Sequence, residues 1–155
     1  MMPKDWLFRD EATLCNVRVA GVMMQRGRLL VQREKNSVEY ALPGGHVQMG
    51  EETKNALKRE FREEMGIDII VDRLLWTEEC FWKWGERQAH TFTFYYLITG
   101  EIETHESFFT QMDNKNVEYG FLSPNALANA RIYPTFIKKE ITLIDDAPKH
   151  FVTYD

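Results

Sequence analysis

Two apolar segments joined by a short polar segment lie near the start of the chain. Residues 13–24 are mostly β-branched or apolar, residues 29–33 are similar, and residues 25–28 between them include a glycine. Apolar runs of this kind around a glycine-containing turn are typical of a β-hairpin. The pattern therefore predicts that the first strand folds back and pairs with the second.

Two further strands are predicted in the middle of the chain. Residues 69–84 are rich in apolar and aromatic residues, and within residues 90–99 Thr91 and Thr93 alternate with phenylalanine. Alternation with a period of two is typical of a strand that buries one face. Residues 85–88, which begin with a glycine, predict the turn that joins the two strands.

The segment between the hairpin and these strands has helical periodicity. Apolar residues recur every four positions at Leu57, Phe61 and Met65. This spacing places them on one stripe of an amphipathic helix, and Gly66 supplies the left-handed residue with which helices commonly end. The sequence therefore predicts a helix from Thr53 to Met65 with one buried stripe.

Two shorter helices are predicted towards the end of the chain. The segment Ser123-Pro124-Asn125 has proline at the first helical position, and a last helix is predicted over residues 134–143. The elements follow in the order strands, helix, strands, helices, without repeats or a linker-like segment. This order predicts a single α+β domain over residues 1–155, with sheet and helices in αβα layers.

The size and charge of the chain restrict its partners. With 155 residues, of which 44% are hydrophobic, the chain can bury a core without disulfides. The net charge is −5 and the pI is about 5.4, whereas tight binding to a polynucleotide backbone needs a basic surface. A nucleic-acid polymer is therefore not expected as a partner, although a small phosphate compound can bind where metal ions supply positive charge.

Cysteine usage and the lack of a long apolar run bear on the compartment. Cys15 and Cys80 each lie in an apolar, strand-like segment and outside any metal-ligand spacing, which predicts buried free thiols. Residues 1–10 do not resemble a signal peptide, and no run approaches the ~18 apolar residues of a membrane span. A cytoplasmic protein without a membrane partner is expected.

Three carboxylates cluster on the predicted helix. Glu60, Glu63 and Glu64 fall within about a third of the helix circumference, on the face opposite the apolar stripe. They repel one another, and oxygen-only clusters of this kind suit hard cations such as Mg²⁺ or Mn²⁺. The alternative is a solvated acidic face balanced by neighbouring basic side chains. These basic residues are Lys54, Lys58, Arg59 and Arg62.

The segment before the helix favours the metal site over the solvated face. Residues 42–45 include two glycines, which allow backbone carbonyls to approach a ligand closely. Glu51 lies beside the helix start and is near enough along the chain to pair with Arg59. The loop and the helix together therefore predict a ligand-binding unit.

A fixed spacing runs through this loop and helix. From Gly45 the chain reads G-x5-E-x7-R-E-φ-x-E-E-x-G-φ, where φ is an apolar residue. The fixed positions are Gly45, Glu51, Arg59, Glu60, Phe61, Glu63, Glu64, Gly66 and Ile67. This pattern resembles the Nudix box of the Nudix (MutT-like) hydrolases, and no fixed position departs from it. A looser resemblance extends over residues 13–125.

The resemblance implies a fold, a reaction and a set of ligands. It implies the Nudix fold, a mixed β-sheet sandwiched between α-helices, and Mg²⁺-dependent hydrolysis of a nucleoside diphosphate linked to another moiety, with Mn²⁺ as a substitute metal. Glu51 and Arg59 correspond to the pair that braces the loop against the helix. The implied metal ligands are Glu60, Glu63, Glu64 and the carbonyl of Gly44.

Several acids are candidates for the general base that activates water. Glu63 and Glu64 are the candidates within the box, whereas many Nudix enzymes use an acid from a later loop. Asp113 and Glu118, expected in the loop between the last strands, are the candidates of that kind here, and solvated loop acids are the alternative. The choice between these residues stays open at this point.

The groups that would hold the substrate are less well defined. The backbone of Gly44 and Gly45 is expected to contact substrate, and Arg33 is expected either to reach a phosphate or to end its strand at the surface. His46 in the loop and His90 at a strand start are lesser candidates. A base could stack among the central aromatic residues, which otherwise belong to the core or to a dimer interface. These are Trp76, Phe81, Trp82, Trp84, Phe92, Phe94, Tyr95 and Tyr96.

The resemblance does not choose one substrate. A small nucleoside diphosphate derivative, such as a nucleotide or a nucleotide sugar, is expected for a short acidic chain, and a homodimer is expected from the family. The rival hypothesis is a non-catalytic Nudix-fold sensor that binds such a compound. Sensors of this kind usually lack box carboxylates, and this chain has all of them, which favours the enzyme.

Overall fold

Two six-stranded sheets and three helices make up the structure, a computed structural model that describes residues 2–104 and 106–155. The elements are β1 (Leu7–Arg9), β2 (Thr13–Val22), β3 (Met24–Gln25), β4 (Arg28–Glu34), β5 (Glu39–Ala41), β6 (Gly44–His46), α1 (Thr53–Met65), β7 (Ile70–Trp84), β8 (Arg87–Thr99), β9 (Phe108–Thr110), β10 (Val117–Leu122), α2 (Pro124–Asn129), β11 (Arg131–Tyr133), α3 (Ile137–Glu140) and β12 (Lys149–Tyr154).

The first sheet is mixed and contains the two long central strands. Its order is β1-β2-β8-β7-β12, and β6 also pairs with β2. β7 and β8 form an antiparallel hairpin, whereas β8 runs parallel to β2 and β12 runs parallel to β7. The two predicted strands are confirmed, but the turn between them is shorter than expected, because Arg87 and Gln88 already belong to β8.

The predicted hairpin is confirmed only next to its turn, where Met24 lies opposite Leu29 and Gln25 lies opposite Arg28. The prediction is wrong for the rest of the first strand. β2 pairs with β8 along its whole length, from Thr13 opposite Gln88 to Val22 opposite Leu97. β4 lies in the second sheet, whose order is β11-β5-β4-β10-β9. Of the strands that precede it in the chain, β3 pairs with it, over two residues. β2 has buried residues on both faces because it lies between two layers, so its pattern did not identify its neighbour.

The glycines before α1 belong to a strand of the first sheet, whereas the sequence predicted a loop. Gly44 lies opposite Ala20 and His46 lies opposite Arg18 in an antiparallel pairing of β6 with β2. A Cβ atom on Gly44 would overlap the backbone carbonyl of Val19. Glycine is needed here because the two backbones approach so closely.

The helix α1 has the predicted bounds, Thr53–Met65. Its apolar stripe is confirmed, since Leu57 and Phe61 are fully buried against the first sheet. Gly66 ends the helix with a positive φ of 68°, and its N–H donates to the Arg62 carbonyl. The sequence pattern therefore located this element at both ends.

Helices lie on both faces of the first sheet, as the αβα prediction requires. One apolar cluster contains Phe61 of α1 and Val19 of β2, and a second cluster contains Ala20 of β2 with Leu127 of α2 and Ile137 of α3. Neighbouring residues of a strand face opposite sides, so the two clusters occupy opposite faces of β2. The α+β class is confirmed, and the second sheet contributes to both clusters, with Leu30 in the first and Leu29 in the second.

The two short helices differ in how well the sequence located them. α2 begins at Pro124 as predicted, and the Ala126 N–H donates to the Ser123 hydroxyl oxygen at 3.2 Å. The last helix was predicted over residues 134–143, but only Ile137–Glu140 is regular helix, because turns replace it at both ends. None of the helices in the described part of the chain is long and apolar enough to cross a membrane.

The cysteines are free but not buried as predicted. Cys15 is exposed and Cys80 is partly buried. Cys15 lies on the same face of β2 as Val17 and Val19, which pack in the cluster under α1. It lies nearer the β1 end of the strand, where the side chain is left exposed.

Candidate active site

A single guanidinium connects the loop before α1 to three carboxylates. Arg59 donates from Nε and Nη2 to the two oxygens of Glu51, at 2.8 and 3.0 Å. Its Nη1 donates to Glu60 at 2.9 Å and to Glu63 at 3.2 Å, and Nη2 also donates to the His46 carbonyl at 3.0 Å. Charge-assisted, bidentate bonds of this kind fix geometry as well as adding stability. The predicted contact between Glu51 and Arg59 is therefore present and bidentate.

The carboxylate of Glu60 lies directly against β6, whose residues Gly44, Gly45 and His46 are called the glycine loop below. A Cβ atom built on Gly45 would overlap the carboxyl group of Glu60. Burial raises the pKa of Glu60, against the hydrogen bond from Arg59, and the charge of Glu63 acts in the same direction as burial. The loop therefore leaves room for one carboxylate, in a position where its negative charge is costly.

Glu64 lies deeper than the other two acids. It is only 8% exposed, and its Oε2 accepts a hydrogen bond from the Tyr119 hydroxyl at 2.7 Å. Burial raises the pKa of Glu64 to about 8 despite that hydrogen bond, and the charges of Glu60 and Asp113 act in the same direction. Two neighbouring carboxylates with raised pKa values need more positive charge than Arg59 alone supplies.

The three acids do not share the solvent-facing side that the sequence predicted. Glu63 is half-exposed, Glu60 is mostly buried and Glu64 is buried. Glu64 follows Phe61 by three positions, which at about 100° per residue places it beside the apolar stripe rather than opposite it. The carboxylates therefore form a series from solvent to core along one edge of α1.

The three carboxylates are ligands that suit a hard divalent cation, although their side chains do not converge on one point. Across residues 2–104 and 106–155, no group of three or more acidic, histidine or cysteine side chains is placed to hold a metal. Glu60 and Glu63 point to Arg59, and Glu64 points to Tyr119. Three carboxylates with raised pKa values at two of them fit Mg²⁺ by charge and by ligand type. Binding would require Glu60 and Glu63 to rotate away from the guanidinium.

The two predicted loop acids lie in different settings. Asp113 follows β9 in a loop and is close enough to act on Glu64. The expectation of a loop position is wrong for Glu118, which lies in β10 opposite Arg33 of β4. The Arg33 Nε donates to Glu118 at 2.8 Å, and the guanidinium lies 3.8 Å from the centre of the Phe108 ring. A substrate phosphate would have to compete with Glu118 for Arg33.

A cavity of about 710 Å³ opens on the face of the first sheet that α1 does not cover. Its floor is formed by side chains from β2, β8 and β7, and residues of β5 and β11 form its side. Three rows cross the floor from strand to strand. They are Arg18, Thr93 and Glu78, then Asn16, Thr91 and Cys80, then Leu14 and Trp82.

A directional series of hydrogen bonds connects this floor to the glycine loop. The Trp82 indole N–H donates to Thr91 at 2.9 Å, and the Thr91 hydroxyl donates to the Asn16 carbonyl oxygen at 2.7 Å. The Asn16 amide nitrogen then lies 3.0 Å from Nε2 of His46. Since an amide nitrogen can only donate, Nε2 of His46 is the acceptor, and the proton of the neutral imidazole is on Nδ1, which faces Asp5. Burial lowers the pKa of His46, consistent with the neutral ring.

The sequence missed most of the residues on the cavity floor. Arg18 is the one charged residue of β2, which was the available signal for it, whereas Glu78 is one of several charged residues in β7 and does not stand out. Thr91 and Thr93 were noted only for their alternation. His90 lies outside the cavity, stacked on Phe81 at 4.2 Å. Of the central aromatic residues, three line the cavity: Trp82, Trp84 and Tyr95.

Comparison with known proteins gives the chain a family. The NUDIX domain model matches residues 15–141. A MutT-like protein of Streptomyces ambofaciens is 41% identical over 69 residues, which cover 42% of this chain and 45% of that protein. The chain thus matches less than half the length of this curated relative.

Solved structures agree with the fold. A MutT protein of Bacillus halodurans aligns over 88% of this chain and 90% of its own, with a TM-score of 0.62 at 16% identity. A NUDIX hydrolase of Nitrosomonas europaea aligns over 95% and 82%, with a TM-score of 0.61 at 11% identity. An ADP-ribose pyrophosphatase of Streptococcus suis aligns over 88% and 98%, with a TM-score of 0.53 at 18% identity. These likenesses concern the fold, and because the family model covers more than half of the sequence, the chain belongs to the NUDIX domain family.

Proposed function

We propose that this protein is a Mg²⁺-dependent hydrolase that cleaves the diphosphate linkage of a nucleoside diphosphate joined to another moiety. One observation carries the proposal: Glu60 and Glu64 are buried beside each other at the glycine loop with raised pKa values. Relatives by fold include proteins described as an ADP-ribose pyrophosphatase and a UDP-X diphosphatase. Their names support the reaction class and leave the substrate of this chain to be measured.

The carboxylates of α1 are the proposed metal ligands. Glu60, Glu63 and Glu64 would hold Mg²⁺ together with the carbonyl of Gly44. A bound Mg²⁺ neutralises charge on the diphosphate and lowers the pKa of a coordinated water. Arg59 keeps these acids near the loop through its bonds to Glu51 and to the His46 carbonyl. In this role Arg59 and Glu51 position the ligands and do not touch the substrate.

A carboxylate must also take a proton from the attacking water. Glu63 is half-exposed, so water reaches it directly. Glu64 is buried and already accepts a hydrogen bond from Tyr119, which leaves it fewer free lone pairs. We therefore propose Glu63 as the first candidate for the general base, with Glu64 and the loop residue Asp113 as the alternatives.

The cavity on the first sheet is the proposed site for the nucleoside. Its volume of about 710 Å³ lies within the usual range for small-molecule pockets. β6 connects it to the proposed metal ligands, because Gly45 contacts Glu60 while the neighbouring His46 lines the cavity. The diphosphate would lie over the glycine backbone of Gly44 and Gly45, with the nucleoside beyond it.

The proposed reaction is tested with a panel of nucleotide substrates. The purified protein is incubated with nucleoside triphosphates, nucleotide sugars and dinucleoside polyphosphates, and the products are separated by ion-exchange chromatography. We expect cleavage of at least one compound in Mg²⁺ or Mn²⁺ and none in EDTA, with activity restored when Mg²⁺ is added back. Tight binding of one compound without cleavage of any would indicate the sensor instead.

Gly45→Ala tests the contact between the loop and Glu60. The new methyl group overlaps the carboxylate of Glu60, which must swing away from its place beside the loop. We expect activity to fall at least roughly tenfold and the Mg²⁺ concentration for half-maximal activity to rise, because small misplacements of this kind are costly. The melting temperature should change little, since a flexible side chain moves rather than the backbone.

Gly85→Ala is the matched control for that change. Gly85 lies in the β7–β8 turn with a φ of 62°, so the substitution introduces backbone strain away from the carboxylates. It should lower stability and leave turnover at wild-type level. Equal activity in Gly45→Ala and the wild type would contradict the placement of Glu60 as a ligand.

Two expectations from the sequence stay predictions. A cytoplasmic location is one of them, and a homodimer is the other. Light scattering on the purified protein measures the molar mass and decides the second directly. A small substrate remains the proposal for a chain with a net charge of −5.

A further inference from the structure

One row of the cavity floor carries opposite charges at its two ends. Arg18 of β2 lies opposite Thr93 of β8, and Thr93 lies opposite Glu78 of β7. All three side chains line the cavity. Neighbouring strands are separated by about 4.8 Å, so the backbones of Arg18 and Glu78 are roughly 10 Å apart across the floor.

Glu78 is a buried carboxylate without a cationic partner. It is 3% exposed, and it accepts hydrogen bonds from Tyr95 at 2.8 Å and Thr153 at 2.7 Å. No lysine, arginine or histidine forms an ion pair with it in the part of the chain that the structure describes. Burial raises its pKa, the two hydroxyl donors oppose this, and the charge of Asp155 adds to the effect of burial.

A carboxylate in this setting has spare capacity for hydrogen bonds. An ionised carboxylate offers about four lone-pair sites and no donor, and two of those of Glu78 are used by hydroxyl groups. A buried charge without a cation is unfavourable, and further N–H donors would relieve it. The hydroxyl groups of Tyr95 and Thr153 hold the carboxylate in place, one on each oxygen, and the remaining lone pairs stay available to a ligand.

The other end of the row is suited to phosphate. Arg18 has no carboxylate partner among the ion pairs of residues 2–104 and 106–155. It lies opposite His46 of β6, whose neighbour Gly45 contacts Glu60. Arg18 therefore lies on the side of the proposed metal ligands, while Glu78 and Asp155 make the far side acidic. A nucleotide would be oriented with its phosphates towards Arg18 and its base towards Glu78.

We propose that Glu78 determines base specificity by accepting hydrogen bonds from the N–H donor edge of the nucleobase. The inference rests on the proposed function and adds a substrate class to it, nucleotides whose base carries an exocyclic amino group. An acceptor-only carboxylate pairs with an amino group and a neighbouring ring N–H, the pattern that guanine presents. It repels the carbonyl oxygens of bases without an amino group. The apolar row of Leu14 and Trp82 is available to contact the ring.

The test compares bases that differ at one amino group. The substrates are a guanine and a hypoxanthine nucleotide, and a cytosine and a uracil nucleotide, each with the diphosphate linkage that the panel identifies as cleaved. For wild-type protein, kcat/KM for the amino-bearing member of at least one pair should be roughly tenfold higher or more, the usual value of one hydrogen bond to a charged group. Glu78→Gln should reduce that ratio to about threefold or less, because it replaces one acceptor with a donor.

Two variants control for folding and for charge. Glu79→Gln makes the same change one residue further along β7, on the opposite face, where the acid contacts His150. It should keep the wild-type ratio. Glu78→Asp keeps the charge but withdraws the carboxylate, and it should lower kcat/KM for the amino-bearing member without reversing the preference. Unchanged cleavage of the weaker member by Glu78→Gln shows that this variant is folded.

The outcomes separate this inference from the proposed function. Cleavage of all four bases with equal kcat/KM by wild-type protein would leave the hydrolase in place and overturn the role of Glu78. A preference that survives in Glu78→Gln would overturn it as well. Absence of cleavage of every substrate contradicts the proposed function first and removes the basis of the inference with it.

Discussion

Glu63→Gln is expected to lower kcat by roughly 10²- to 10⁴-fold, the range attributable to a positioned general base. The amide keeps the shape of the side chain and loses the negative charge that would bind Mg²⁺ and accept a proton. Glu63 is half-exposed and lies outside the apolar clusters, so the melting temperature should stay within about a degree of wild type, as surface substitutions usually do. Steady-state kinetics at saturating Mg²⁺, with thermal unfolding in parallel, measures both quantities.

Glu52→Gln is the matched control for this variant. Glu52 precedes the first residue of α1, and its side chain forms no capping hydrogen bond. The same loss of charge at that end of the helix should leave kcat unchanged. Glu64→Gln should also reduce turnover strongly while keeping an acceptor for Tyr119. Near wild-type activity in both Glu63→Gln and Glu64→Gln would refute the assignment of these acids to the metal site.

Arg59→Met is expected to reduce both activity and stability. The substitution removes the guanidinium that bonds to Glu51, Glu60 and Glu63, and it leaves a largely buried Glu60 next to the loop without its partner. Stability should fall by about 2 kcal/mol, the usual cost of leaving charged groups without their hydrogen bonds. Turnover should fall roughly 100-fold, because the ligands lose their positions.

Arg62→Met is the matched control, because it removes an arginine of the same helix that does not bond to Glu51, Glu60 or Glu63. Arg62 lies three residues further along α1 and pairs with Asp68, with both side chains largely exposed. Exposed ion pairs contribute about 0–1 kcal/mol, so stability should change little and turnover should not change. Urea unfolding gives the free energies, and initial rates give the turnover. If Arg59→Met behaves like Arg62→Met, the proposed positioning role of Arg59 is incorrect.

The sequence predicted local elements well and long-range pairing poorly. The sequence located α1 at both ends because the spacing of Leu57 and Phe61 shows helical periodicity and Gly66 marks the end of the helix. β2 was assigned the wrong neighbour because parallel pairing with β8 joins residues about 75 positions apart, from Thr13 with Gln88 to Val22 with Leu97. Nothing within either segment encodes that partner, since both have buried residues on two faces.

The same distinction explains which parts of the candidate site were predicted. The acids of the helix and Glu51 follow one another in a fixed frame, so a local pattern was enough to single them out. The row of Arg18, Thr93 and Glu78 comes from three segments, and its members become neighbours only through the register of β2, β8 and β7. The depth of Glu64 was also missed, because the contact with Tyr119 arises in β10.

The pairing of β6 with β2 has a consequence for substrate length. β6, β2, β8 and β7 lie side by side, so His46, Arg18, Thr93 and Glu78 are held at successive strand spacings. Under the proposed function, this fixed spacing would set the distance from the diphosphate to the far end of the nucleoside. The spacing is set by the hydrogen-bonded backbone, which does not change when a side chain is replaced. Under the same proposal, a single substitution in the row would change which compound is accepted without moving α1.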